Sequence, residues 1–241
     1  MPQSLTLQAG LWGWLAASSL LLGAAIGAYV QLPKKLLASI MAYGSGVLIA
    51  ALCFEQIPDA EELGGPLPTL LGLASGGVVF VVASKGLDRL QGKANASALL
   101  GVLIAAGAFL DGIPESLGLG LGLLDGGKVS MVMLVAIFLS NLPEGLASAA
   151  GMRAGGTRRL YVFALWGTIV LLSGFAAMAG PGLFAGVDAM WLAFALGFSS
   201  GAVLCMLVDT LIPEAFASTQ AWTGLITLAG FMTALALHHA T

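Results

Sequence analysis

Apolar stretches of about 18 residues or more recur along the whole chain, each long enough to cross a lipid bilayer as a helix. Eight can be marked between polar or glycine-proline breaks, at approximately 9–30, 36–58, 66–84, 97–124, 129–152, 160–180, 189–212 and 222–240. At 1.5 Å of rise per residue each spans a hydrocarbon core of about 30 Å. Only 9% of the 241 residues are charged, against about a quarter in soluble domains, and the mean hydropathy is +0.99. So few charges cannot cover a soluble protein of this size. The expected fold class is an all-α polytopic membrane protein, a single transmembrane domain over residues 1–241 with eight transmembrane helices. The fourth and fifth spans exceed what the bilayer needs, so they should tilt, kink or project.

The net charge of −3 argues against a nucleic-acid partner and leaves the lipid bilayer as the main surroundings. The few basic residues instead set orientation. Lys34 and Lys35 lie between spans one and two, Lys85, Arg89 and Lys93 between three and four, and Arg153, Arg158 and Arg159 between five and six. Only Lys128 falls in a loop of the opposite set. The positive-inside rule places the first set in the cytoplasm and both termini outside. A cleaved leader is not expected, because the N-terminus lacks a basic n-region. Cys53 and Cys205 show no metal or redox spacing and read as small buried hydrophobes. The 34 glycines are spread through the spans, which suits close helix packing.

Four segments break the apolar background in the same way, each ending in proline followed by an acid. They are Phe54-Glu55-Gln56-Ile57-Pro58-Asp59-Ala60, Asp111-Gly112-Ile113-Pro114-Glu115, Ser140-Asn141-Leu142-Pro143-Glu144 and Asp209-Thr210-Leu211-Ile212-Pro213-Glu214-Ala215. The middle two are close copies, and the outer two share Ile-Pro-acid-Ala. Span two runs outward and span seven inward, so the outer motifs lie in opposite orientation. This suggests an inverted repeat of spans 1–3 and 6–8 around spans 4–5, an arrangement common in transporters.

Asp111, Glu115 and Glu144 lie well inside their spans. An Asp at a membrane helix centre costs about 2.5–3.5 kcal/mol on insertion scales, and no Lys or Arg inside these two spans offsets it. Protonation, water or a bound cation must do so. Asp111 and Glu115 are four residues apart and share one helix face, as do Ser140 and Glu144. Pro114 cannot donate to the Leu110 carbonyl, nor Pro143 to that of Leu139, so each proline frees a backbone oxygen one turn before its acid. Carboxylates, an Asn amide and freed carbonyls on two facing helices form an oxygen-rich cation site.

At these motifs the chain resembles the ZIP family of divalent metal transporters, and the likeness extends over nearly its whole length. The family pattern in span four is His-Asn-x-Pro-Glu-Gly, with a related His- or Gln-containing motif in span five. Ser140-Asn141-Leu142-Pro143-Glu144-Gly145 matches all but the leading His. Asp111-Gly112-Ile113-Pro114-Glu115 keeps the Pro-Glu pair, with Asp in place of His and Gly112 in place of a ligating side chain. The resemblance implies a metal site of Asp111, Glu115, Ser140, Asn141 and Glu144. It implies a pathway with Glu55, Gln56 and Asp59 at the outer entrance and Asp209 and Glu214 at the inner exit.

Span six offers no acid for a second, bridged metal. An all-oxygen set favours harder cations than a His-containing one, so manganese, iron and magnesium compete with zinc as the transported ion. His238 and His239 read as a polar tail. The implied mechanism is alternating access, with spans one, four, five and six moving against the rest and metal flowing toward the cytoplasm. A multi-pass protein of the plasma (inner) membrane of a prokaryote is expected, and the resemblance allows a homodimer.

Two other readings keep the fold: a proton or other-solute carrier, and a non-transporting membrane protein. An enzyme is not expected. The chain has no HExxH, no G-x-S-x-G and no core His to act as a base for Ser140.

Overall fold

The structure, a computed structural model, describes residues 3–30, 32–91, 96–122, 131–181 and 187–239. Helices are α1 (Gln3–Tyr29), α2 (Lys34–Ala51), α3 (Ile57–Gly64), α4 (Pro66–Gln91), α5 (Ala96–Gly122), α6 (Met131–Ala154), α7 (Arg159–Ala179), α8 (Ala189–Met206), α9 (Ile212–Thr219) and α10 (Thr223–His239). Among the described residues there is no strand. Five helical stretches there are long and apolar enough to cross a membrane: Leu5–Tyr29, Lys34–Gly64, Pro66–Gly86, Arg159–Ala179 and Ala189–His239. The chain is therefore a multi-pass helical membrane protein.

Prolines shape two of these stretches. A proline inside an α-helix lacks its N–H and presses its ring on the carbonyl four residues back. Before Pro58 and before Pro213 the helix widens into a five-residue π-turn, Leu52–Gln56 and Leu207–Leu211. There Ile57 N–H donates to Leu52 O, and Ile212 N–H to Leu207 O, each reaching one carbonyl further than an α-helix would. The helix thus continues past the proline instead of ending. Both stretches run 18 residues of α-helix, five of π-turn and eight of α-helix. At a constant offset, Ser45, Gly46, Leu52, Ile57, Pro58 and Ala60 correspond to Ser200, Gly201, Leu207, Ile212, Pro213 and Ala215.

Local chemistry ends the helices. Gly65 (φ 88°) separates α3 from α4, and Gly156 (φ 86°) closes the turn between α6 and α7; both lie in the left-handed region that favours glycine. The Asp188 side chain accepts from Met190 N–H and caps α8. Several helices outrun the apolar spans: α1 begins at Gln3, the second span runs through α3 to Gly64, α4 reaches Gln91 and α9 reaches Thr219. Apolar runs mark only what sits in hydrocarbon, whereas backbone hydrogen bonding carries a helix on into the interface.

The helices pack as two bundles. In one, α1 and α5 each pack against both α6 and α7; in the other, α4 and α3 pack on α8, and α10 and α9 pack on α2. The bundles meet mainly where α2 crosses α6 and α5 crosses α8. Their cores divide in the same way. Leu20, Met152, Val162 and Trp166 centre the first, and Met41, Leu48, Phe80, Met206 and Leu211 the second.

Lipid-tail surroundings give no hydrophobic drive for helices to associate, so close fit must hold them. A Cβ on Gly145 would collide with the Leu20 carbonyl of α1, and one on Gly76 with the Phe198 carbonyl of α8. Conversely, bulky apolar side chains such as Leu11, Leu70, Val82, Phe175, Trp191 and Met232 are exposed on the outside. This inside-out distribution suits lipid. Cys53 belongs to that outside, exposed rather than buried as its apolar setting suggested, and both cysteines are free.

Candidate functional site

The Pro-Glu-Gly segment of α6 is wedged between two neighbours. Pro143 lies within the helix and packs on Gly44 of α2, where an added Cβ would come within 2.7 Å of the proline ring. Gly145 abuts the α1 backbone at Leu20. Neither contact tolerates a larger residue, and together they fix the rotation of α6 about its axis. That rotation carries Glu144 inside, with no exposed surface, and Asn141 to 4% exposure. Asn141, Glu144 and Ser148 share one face of α6. Ser148 Oγ donates to Gly101 O of α5 at 2.6 Å, so this face meets α5.

The structure thus sets two of the five expected site residues, Asn141 and Glu144, into the core at the α5–α6 contact. Asp111, Glu115 and Ser140 lie on the helical backbone of the same pair, but their side chains are outside the described residues. Among the described residues no three His, Cys, Asp or Glu side chains come together as a metal cluster. Gly112 is buried, and a Cβ there would stand 3.2 Å from Ser173 Oγ of α7. Ser173 is itself buried, and its hydroxyl finds no hydrogen-bond partner among the described residues. Most helical hydroxyls here behave otherwise: those of Ser39, Ser45, Thr168 and Thr233 each donate to the carbonyl four residues back. Ser173 carried no signal in sequence, being one serine in an apolar span without acids.

A cavity of about 680 Å³ opens among the ends of α1 and α6, the starts of α2, α5 and α7, and α9. Its apolar wall reaches Met41 and Ala147, and Ala147 lies one helical turn from Glu144. Glu214, expected at the inner exit, lines this cavity, whereas Asp209 is exposed on the second π-turn and is not among its lining residues.

The expected entrance residues sit on the first π-turn and α3. Asp59 is exposed and Glu55 half-exposed. Gln56 is buried, and its Oε1 accepts from Ser200 Oγ at 2.8 Å, tying the π-turn to α8. His238, read from sequence as part of a polar tail, instead stacks on Phe54 and brings Nδ1 to 4.0 Å from Glu55 Oε1. Their separation along the chain hid this pairing from the sequence.

Fold, surface and buried carboxyl group define a multi-pass helical membrane protein with an ionisable side chain buried inside it. The chain matches no protein-family model and no curated protein.

Proposed function

We propose that the chain is a divalent metal ion transporter of the ZIP type, moving zinc, iron or manganese toward the cytoplasm by alternating access. The observation that carries the reading is Glu144: a carboxyl with no exposed surface, on a proline-bearing helix, one turn above a cavity that opens at one end of the molecule. An ionisable residue inside a membrane protein marks an ion pathway by default, because its insertion cost persists only for function. Asp111, Glu115, Ser140 and Asn141 complete an oxygen-rich ligand set with Glu144 across α5 and α6.

Eight passes with both termini outside are supported by the helix order and the basic loops. The inverted repeat is supported by the equal lengths on either side of the two π-turns. Helix pairing supports it too: exchanging spans 1–3 with 6–8 and span 4 with 5 turns the α1–α6 contact into α7–α5, and α2–α10 into α8–α4, all present. The same pairing separates α1, α5, α6 and α7 from the rest, the grouping that rigid-body alternating access needs.

The test is uptake of a panel of divalent metals into proteoliposomes, wild type against Glu115→Ala with Glu144→Ala. Uptake abolished by the double substitution supports the reading and names the cation. Well-folded wild type that takes up no divalent metal defeats it.

A further inference from the structure

We propose that the cavity below Ala147 binds a phosphate-bearing anion, held by Lys34, Arg153 and Arg159. This stands whether or not the chain carries metal. The three basic side chains reach one cavity from three helices: Lys34 opens α2, Arg153 lies in the last turn of α6, and Arg159 opens α7. Glu214 is the single acid among the lining residues. No ion pair neutralises any of the three among the described residues, where the one pairing of acid and base is Glu55 with His238. A concave, low-dielectric wall with two excess positive charges concentrates anions.

Both guanidinium groups are anchored without being used up. Arg153 Nη1 donates to Thr157 O at 2.5 Å. Arg159 Nε donates to Ala28 O at 3.3 Å, and its Cζ lies over the Tyr29 ring, 4.7 Å from the ring centre. Each arginine carries five N–H donors, so each keeps a fixed fork for phosphate oxygens. The uncapped N-termini of α2 and α7 are opposed at the same cavity by the C-terminal ends of α1 and α6, so the positive field comes from the side chains. Beyond the charges the lining is largely apolar, with Leu37, Met41 and Ala147, and adds the hydroxyl residues Ser97 and Ser218. Phosphate from a lipid headgroup or free in solution would satisfy the same donors.

The experiment uses the purified full chain. Native mass spectrometry measures retention of phosphatidylglycerol against phosphatidylcholine, and thermal shift measures binding of inorganic phosphate. Wild type should retain phosphatidylglycerol preferentially, or be stabilised by phosphate; the first result names a lipid and the second a soluble anion. Lys34→Gln, Arg153→Gln and Arg159→Gln together should weaken that binding by about fivefold for each charge removed. Lys35→Gln with Arg158→Gln, neighbours that do not line the cavity, should leave it unchanged. If the triple variant fails to fold, Glu214→Gln provides the opposite sign, since removing the acid should tighten binding about fivefold. Wild type that binds neither anion, or an equal loss from the neighbouring pair, overturns the site.

Discussion

Ser200 Oγ donates to Gln56 Oε1 at 2.8 Å, joining the first π-turn to the helix that carries the second. The counterpart of Gln56 on the second π-turn is Leu211, buried in the apolar core, so the two turns are held by different chemistry. Ser200→Ala removes the hydroxyl, whose single proton is shared between Gln56 Oε1 and Leu196 O. A net loss of about 1–2 kcal/mol is expected, read as a lower thermal unfolding midpoint in detergent. Ser39→Ala, whose hydroxyl bonds only its own helix, is the matched control and should change little.

Glu144→Gln keeps the shape of the buried side chain and removes its capacity for charge. Folding should survive within about 1 kcal/mol, because burying a charge costs more than burying an amide. Divalent-metal uptake should fall at least about tenfold. A variant that folds and still transports at the wild-type rate would remove Glu144 from the proposed cation site.

Glycine at 145 is required by geometry, since any Cβ meets the Leu20 carbonyl. Gly145→Val should push α1 away from α6 and cost more than about 2 kcal/mol, seen as lost monodispersity or a large fall in midpoint. Gly167 of α7 has nothing within 4 Å of an added Cβ. Gly167→Ala should therefore raise stability by up to about 1 kcal/mol through helix propensity.

Ser173 buries a hydroxyl beside Gly112, with no partner among the described residues. Ser173→Ala should stabilise the metal-free protein by about 1 kcal/mol, the cost of leaving such a group unsatisfied. A destabilised variant would show instead that the hydroxyl makes a bond in the folded protein. Repeating the measurement with saturating metal tests whether that hydroxyl also faces the ion.

By itself the sequence determined the helical membrane class and the four proline-acid motifs, because hydrocarbon thickness and backbone hydrogen bonding allow few answers to runs this apolar. It also marked Glu144 and Asn141, since a carboxylate and an amide in such a span stand out against their neighbours. Only the tertiary structure decided that Pro58 and Pro213 continue their helices through π-turns, that Gln56 seats against Ser200, and that His238 meets Glu55. It alone brought Lys34, Arg153 and Arg159 to one cavity and left Ser173 beside Gly112. Hydropathy and motif spacing are properties of neighbours along the chain. These pairings join residues far apart in it, and what sets them is the angle at which each helix is turned by the small residues it packs on.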